Sequence, residues 1–187
     1  MHDLDSERTS RVQKPTSGAT RDVLAAAPDR AFFEDRLTSE LAHADGRGEK
    51  VIVALLNFDR FRETNDVLGR KVADQLLQDV ARRLETRLRR SDTVTRLDGD
   101  EFLLLLPRII GTEDVKGVAK RILRIFQQPF LLGDLRFRVT TNVGLAVYPD
   151  HGKDAEGLMR NVVLAMYRAR QRGRNNYQCF NSTTDAT

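Results

Sequence analysis

The sequence predicts an α/β domain of the α+β kind, a mixed sheet with antiparallel hairpins and helices on its faces. Segments with an apolar residue every three or four positions alternate with short apolar runs, the pattern of helices alternating with strands. The pair Asp98-Gly99 joins two such runs, a strong short-range sign of an antiparallel hairpin, so the sheet cannot be wholly parallel. At 187 residues, 40% hydrophobic and 31% charged, the chain can bury one core and is short for two domains.

Residues 1–20 mix Ser, Thr, Pro and Gly without apolar periodicity and read as a linker or disordered lead-in; 181–187 read the same way, leaving a domain over 21–180. Arg30 to Ala44 is predicted helical, with Phe33, Leu37 and Leu41 on one stripe, and the polar run Asp45-Gly46-Arg47-Gly48 stops it. Val51 to Leu56 is a continuous aliphatic run, as in a strand covered on both faces, ending at Asn57-Phe58-Asp59. From Lys71 to Arg90 the positions Val72, Leu76, Val80, Leu84 and Leu88 recur every four residues and predict a long helix. Thr93 to Leu97 and Phe102 to Leu106 form the hairpin, with Pro107 ending its second strand. Val115 to Phe126 is predicted helical. Phe130-Leu131-Leu132 and Leu135 to Tyr148 are predicted strands around a Gly133-Asp134 turn, Ala155 to Arg172 a helix, and Asn176 to Phe180 a last strand.

Composition excludes several classes. A single cysteine, Cys179, permits no internal disulfide, and with only His2, His43 and His151 beside it no Cys/His zinc cluster can form, so a metal would need oxygen ligands. No apolar run approaches the roughly 18 residues that span a bilayer, and the acidic N-terminus lacks a signal-peptide core; the expectation is a cytoplasmic chain without a membrane segment. The net charge of +4 is mild and does not call for DNA. Most of the 31 basic residues are Arg, whose fork suits phosphate and guanine edges.

Chemistry concentrates in acids that folding does not explain. Asp59 follows the first strand, and Asp98, Asp100 and Glu101 crowd the hairpin tip. Four carboxylates drawn together repel one another, so such a group either awaits a cation, as magnesium with a nucleoside triphosphate, or is splayed in solvent.

The segment Thr95-Arg96-Leu97-Asp98-Gly99-Asp100-Glu101-Phe102 resembles the signature hairpin of the GGDEF family, the diguanylate cyclases of bacterial c-di-GMP signalling. Asn57-Phe58-Asp59-Arg60-Phe61-Arg62-Glu63-Thr64-Asn65-Asp66 resembles the family's first-strand motif, and Met166 to Arg170 with Gly173-Arg174-Asn175-Asn176 its last-helix motif, so the likeness covers about Arg21 to Phe180. It implies a palm-like fold, as in nucleotidyl cyclases, and a reaction in which two GTP-loaded domains meet face to face with magnesium assistance. Asp100 and Glu101 then fall on the catalytic acids, Asn57, the Phe58 carbonyl and Asp100 on the metal ligands, and Asn65 and Asp74 on the guanine-binding pair. The nucleotide also meets Asp98 and Gly99 of the hairpin, and Arg170 and Arg174 fall on phosphate-binding positions, on one helical face if the helix runs that far. Arg89-Arg90-Ser91-Asp92 matches the family's Arg-x-x-Asp inhibitory c-di-GMP site, for which Lys120 or Arg121 are candidate second cations.

Departures from the family pattern bear on activity. Asn57 stands where the family has a magnesium-ligating Asp, so one charged ligand is missing and magnesium binding should be weak or absent. Asp98 replaces a Gly, and a carboxylate about 4 Å from phosphate costs on the order of 4 kcal/mol at an effective dielectric of about 20. Ala25 to Asp29 and Val163 depart as well. The resemblance therefore implies a degenerate binding or regulatory module for GTP and c-di-GMP with little or no cyclase activity, next to an EAL domain to which Tyr177-Gln178-Cys179-Phe180 leads, and able to pair as a homodimer. The alternative is an active diguanylate cyclase whose metal site is rearranged around Asp59, Asp98 and Asp100.

Overall fold

The computed structural model describes residues 30–109 and 115–181. The lead-in, the entry segment Ala25 to Asp29 and the last six residues lie outside the described residues. Helix α1 (Arg30–Asp45) precedes strand β1 (Lys50–Phe58), α2 (Phe61–Leu68), α3 (Arg70–Arg87) and the hairpin strands β2 (Thr93–Arg96) and β3 (Glu101–Ile109). Then come α4 (Val115–Ile125), β4 (Phe130–Leu132), β5 (Leu135–Phe137), β6 (Thr141–Tyr148), α5 (Ala155–Gln171) and β7 (Tyr177–Cys179).

The main sheet has the order β2-β3-β1-β6-β7; β7 lies parallel to β6 and every other pair is antiparallel, so the predicted mixed sheet is present. Alternation along β1 divides the core. Ile52, Ala54, Leu56 and Phe58 pack with Leu76, Leu77 and Val80 of α3 and Val118 and Ile122 of α4. Val51, Val53 and Leu55 face the other way, toward Phe33 and Leu37 of α1 and Leu158 and Val162 of α5. This two-sided covering is why β1 reads as an unbroken apolar run. Gly144 of β6 lets α5 approach closely: a Cβ there would lie 2.7 Å from both Met166 Cα and Val162 O.

Several boundaries differ from expectation. β1 continues through Asn57 and Phe58, because both pair with β6 and Asn57 also pairs with Glu101 of β3. Pro107 does not end β3. The strand runs on to Ile109 because Pro107 lies past the last β2 partner and falls in a bulge, where the β1 register passes from Ile52↔Leu106 to Lys50↔Ile109 and Arg108 takes φ 58°. Helix α3 stops at Arg87, and Leu88 is already extended. Helix α2 was not expected, since it buries no residue and so leaves no apolar stripe to read. Gly69, at φ 81° and ψ 155°, breaks the chain between α2 and α3. The predicted strand from Leu135 is two strands, β5 in a separate two-stranded sheet with β4, and β6 in the main one.

Candidate functional site

The ends of β1 and β6, the β2–β3 turn, helix α2 and the end of α5 enclose an open cleft of about 900 Å³. The hairpin turn closes through Leu97 N–H to Glu101 O and Glu101 N–H to Asp98 O, both at 2.9 Å, with Gly99 at φ 49°. Arg96 Nε donates to Gly99 O at 2.9 Å and fixes the tip. Left-handed backbone favours the Gly at 99, so the Asp-Gly pair shapes the turn that presents Asp98, Asp100 and Glu101.

Asn57 and Glu101 are register partners on neighbouring strands, and Asn57 Nδ2 donates to Glu101 Oε1 at 3.4 Å. Burial pushes the Asp100 carboxyl above the usual carboxylate range and Asp98 adds to this, while the Arg170 and Arg62 charges oppose it. Glu101 is also raised, first by burial and then by Asp100 and Asp98, against Arg170 and the Asn57 hydrogen bond. Acids and arginines thus line the same cleft. Arg62, on the otherwise unburied α2, was missed by sequence reasoning as a partner of Asp100; its only sequence signal is its place within the first-strand motif.

Asn65 lines the cleft from α2, half-buried, and Arg170 and Arg174 line the same cleft. The helix ends at Gln171, so Arg170 and Arg174 do not share a helical face as the continued-helix reading required; the turn after α5 brings Arg174 round to the same cleft. Asp74 stands exposed on the second turn of α3 and does not line the cleft.

Asp59, Asp98, Asp100 and Glu101 all line this cleft. Asp59 turns inward and is occupied by three donors: the Thr140 hydroxyl at 2.6 Å and Asn175 N–H at 3.1 Å on Oδ2, and Asn142 Nδ2 at 3.0 Å on Oδ1. Among the described residues no group of three or more His, Cys, Asp or Glu is arranged to hold a metal. What remains at the family's metal position is one carboxylate, Asp100, the Phe58 carbonyl, and the neutral Asn57, whose NH₂ faces Glu101. One carboxylate with neutral oxygens holds magnesium weakly on its own, so phosphates would have to supply the further anionic oxygens.

Beyond the end of α3, Asp92 Oδ2 accepts from Arg89 N–H at 2.9 Å while Asp92 N–H donates to Arg89 O at 2.9 Å, so Asp92 shapes the turn that carries Arg89. Burial raises the Asp92 carboxyl, and the Arg89 and Arg121 charges pull it back. Arg121 of α4 is therefore within electrostatic reach of the Arg-x-x-Asp turn. Among the described residues no helix is long and apolar enough to cross a membrane.

A family model described as "Diguanylate cyclase, GGDEF domain" matches residues 19–176. The chain is 37% identical over 157 residues to the diguanylate cyclase TpbB of Pseudomonas aeruginosa, a match covering 83% of this chain and 36% of that protein. It is 33% identical over 168 residues to the bifunctional diguanylate cyclase/cyclic di-GMP phosphodiesterase MucR of the same organism, covering 90% and 24%. Among solved structures, the GGDEF domain of TpbB matches with a TM-score of 0.82 at 35% identity, covering 88% of this chain and 96% of that one. An EAL/GGDEF domain protein from M. capsulatus matches with a TM-score of 0.66 at 41% identity, covering 81% and 98%. The chain spans only about a third or a quarter of the length of these two curated relatives.

Proposed function

This chain belongs to the GGDEF domain family, and on that premise we propose that it is a guanine-nucleotide-binding regulatory module of c-di-GMP signalling with little or no cyclase activity. The Asn57–Glu101 hydrogen bond carries this reading. An Asp at 57 would set two carboxylates against each other across the strands and leave them in need of a cation; an amide there satisfies Glu101 without one. Asp98 at the hairpin tip adds a negative charge where phosphate must approach.

Binding without transfer is what the remaining residues support. Arg170 and Arg174 offer forked donors to phosphates in the cleft, and Asn65, lining the same cleft, offers an amide to the guanine edge. Asp74 takes part where the base reaches beyond the cleft to α3. At the separate turn, Arg89 and Asp92 with Arg121 behind them supply a fork and a carboxylate for the guanine edges of c-di-GMP. The proposed domain spans 21–180, with 1–20 as a linker or disordered lead-in and 181–187 as a tail or linker. An adjacent EAL phosphodiesterase domain is supported by relatives such as MucR, whose name pairs both activities, and by the extended exit through β7.

The test is to incubate the protein with GTP and magnesium or manganese at concentrations high enough for two domains to meet, and to quantify c-di-GMP by chromatography. No product is expected, while calorimetry should show saturable GTP binding that Asn65→Ala weakens by about 1–3 kcal/mol. Product at a rate typical of active family members overturns the reading, as does ATP competing equally with GTP.

A further inference from the structure

Asp59, Asn142 and Asn176 form a chain of hydrogen-bonded side chains at the cleft. Asp59 accepts from Thr140 and Asn175 N–H on one oxygen and from Asn142 Nδ2 on the other. Asn142, only 3% exposed, turns its own Oδ1 to Asn176, accepting from its N–H at 3.2 Å and its Nδ2 at 2.9 Å. Asn176 Nδ2 also reaches Ala169 O at 2.9 Å, which accepts from Arg172 N–H as well, and Gly173 O at 2.8 Å, carbonyls at and after the end of α5. These bonds bind four pieces of chain together: the end of β1, the start of β6, the end of α5 and the entry to β7.

The segment so held is the turn that carries Arg174. Gly173 at φ 115° and Asn175 at φ 52° flank it, two positive-φ positions of the kind Gly and Asn adopt most readily. Arg170 sits on the last turn of α5, where Asn176 Nδ2 donates to Ala169 O.

We propose that Asp59, Asn142 and Asn176 are the positioning residues of the cleft: they hold the turn after α5 so that Arg170 and Arg174 face the hairpin, and nucleotide affinity depends on them through those arginines. The proposal rests on the reading that the cleft takes a guanine nucleotide. It also accounts for Asp59 without a metal role, since its two oxygens are engaged by three donors.

Donor and acceptor assignments along the network give a sharp test. Asp59→Asn turns one amide NH₂ toward another, and Asn142→Asp turns one carboxylate toward another at about the 3.0 Å of the present bond. The double variant exchanges the roles and restores every bond: Asn at 59 accepts from Thr140 and Asn175 and donates to Asp at 142, which accepts from Asn176. Two readouts are taken at a temperature where melting curves show each protein folded: GTP affinity by calorimetry, and residue-resolved amide exchange at Asn175 by NMR. Each single variant should lose about tenfold or more in affinity and exchange the Asn175 amide about tenfold faster, which corresponds to roughly 1.4 kcal/mol; the double variant should return both to near the parent. Asn176→Ala, which opposes no like groups, should shift both in the same direction and serves if a single variant fails to fold.

The proposal is overturned if the single variants bind and exchange like the parent, or if the double variant regains slow exchange without regaining affinity, which would mean contact with nucleotide and not positioning. If the parent itself binds no GTP, the functional reading falls, and exchange at Asn175 alone then decides whether the network holds the turn.

Discussion

Asn57 on β1 donates its side-chain amide to Glu101 on β3, 3.4 Å away, across directly paired positions at the mouth of the cleft. Asn57→Asp should therefore replace an attraction with a repulsion between half-buried acids, lowering the melting temperature in chelator and leaving a deficit that magnesium partly repairs. A variant that melts like the parent, with and without magnesium, contradicts this. Combined with Asp98→Gly it should recover measurable c-di-GMP synthesis, and each change alone less; an inert double variant would place the defect elsewhere in the domain.

Stability should fall as pH rises through the titration of the cleft acids. The folded pKa values of Asp100 and Glu101 lie above their ordinary 3.8 and 4.5, so the folded state binds more protons than the unfolded state in that window. Their contribution is complete below those ordinary values and is lost as pH passes the raised ones. Glu101→Gln should raise the urea midpoint at pH 7 and lose this advantage by about pH 4. A constant offset across pH would count against burial of the Glu101 charge as the cause.

Gly144→Ala tests the contact between β6 and α5. The added methyl would meet backbone at Met166 and Val162 at 2.7 Å, and neither can rotate away. A loss of about 1–3 kcal/mol in urea unfolding is expected, together with weaker GTP binding because α5 carries Arg170. Unchanged stability would mean that the helix shifts freely.

Binding of c-di-GMP should exceed that of GTP and survive chelation of magnesium, because the Arg89–Asp92 turn lies outside the cleft. Arg89→Ala should cost about 1.5–3 kcal/mol by calorimetry through loss of a charge-assisted fork. Asp92→Ala should cost at least as much, since Asp92 also holds the Arg89 backbone at 2.9 Å. No saturable binding at concentrations high enough to dimerise, or Arg89→Ala binding like the parent, would remove this site from the account.

The sheet and most helices were legible in the sequence because burial writes itself as periodicity. The unbroken run Val51 to Leu56 records a strand covered on both faces, and the fourfold spacing of Leu76, Val80 and Leu84 records one helical face against it. The hairpin acids were legible because Asp98-Gly99 has few other uses. Helix α2 was not, since it buries no residue, and neither was the passage of β3 through Pro107, which depends on where the neighbouring strands stop. Side-chain partnership was decided by the tertiary structure alone. Asp59 and Asn142 lie 83 positions apart, and Asn57 and Glu101 lie 44 apart. Nothing local distinguishes an acid that will face solvent or a cation from one that will meet three donors; only the register of β1 against β6 and β3 sets those atoms together, and with them which carboxylates are free to meet a ligand.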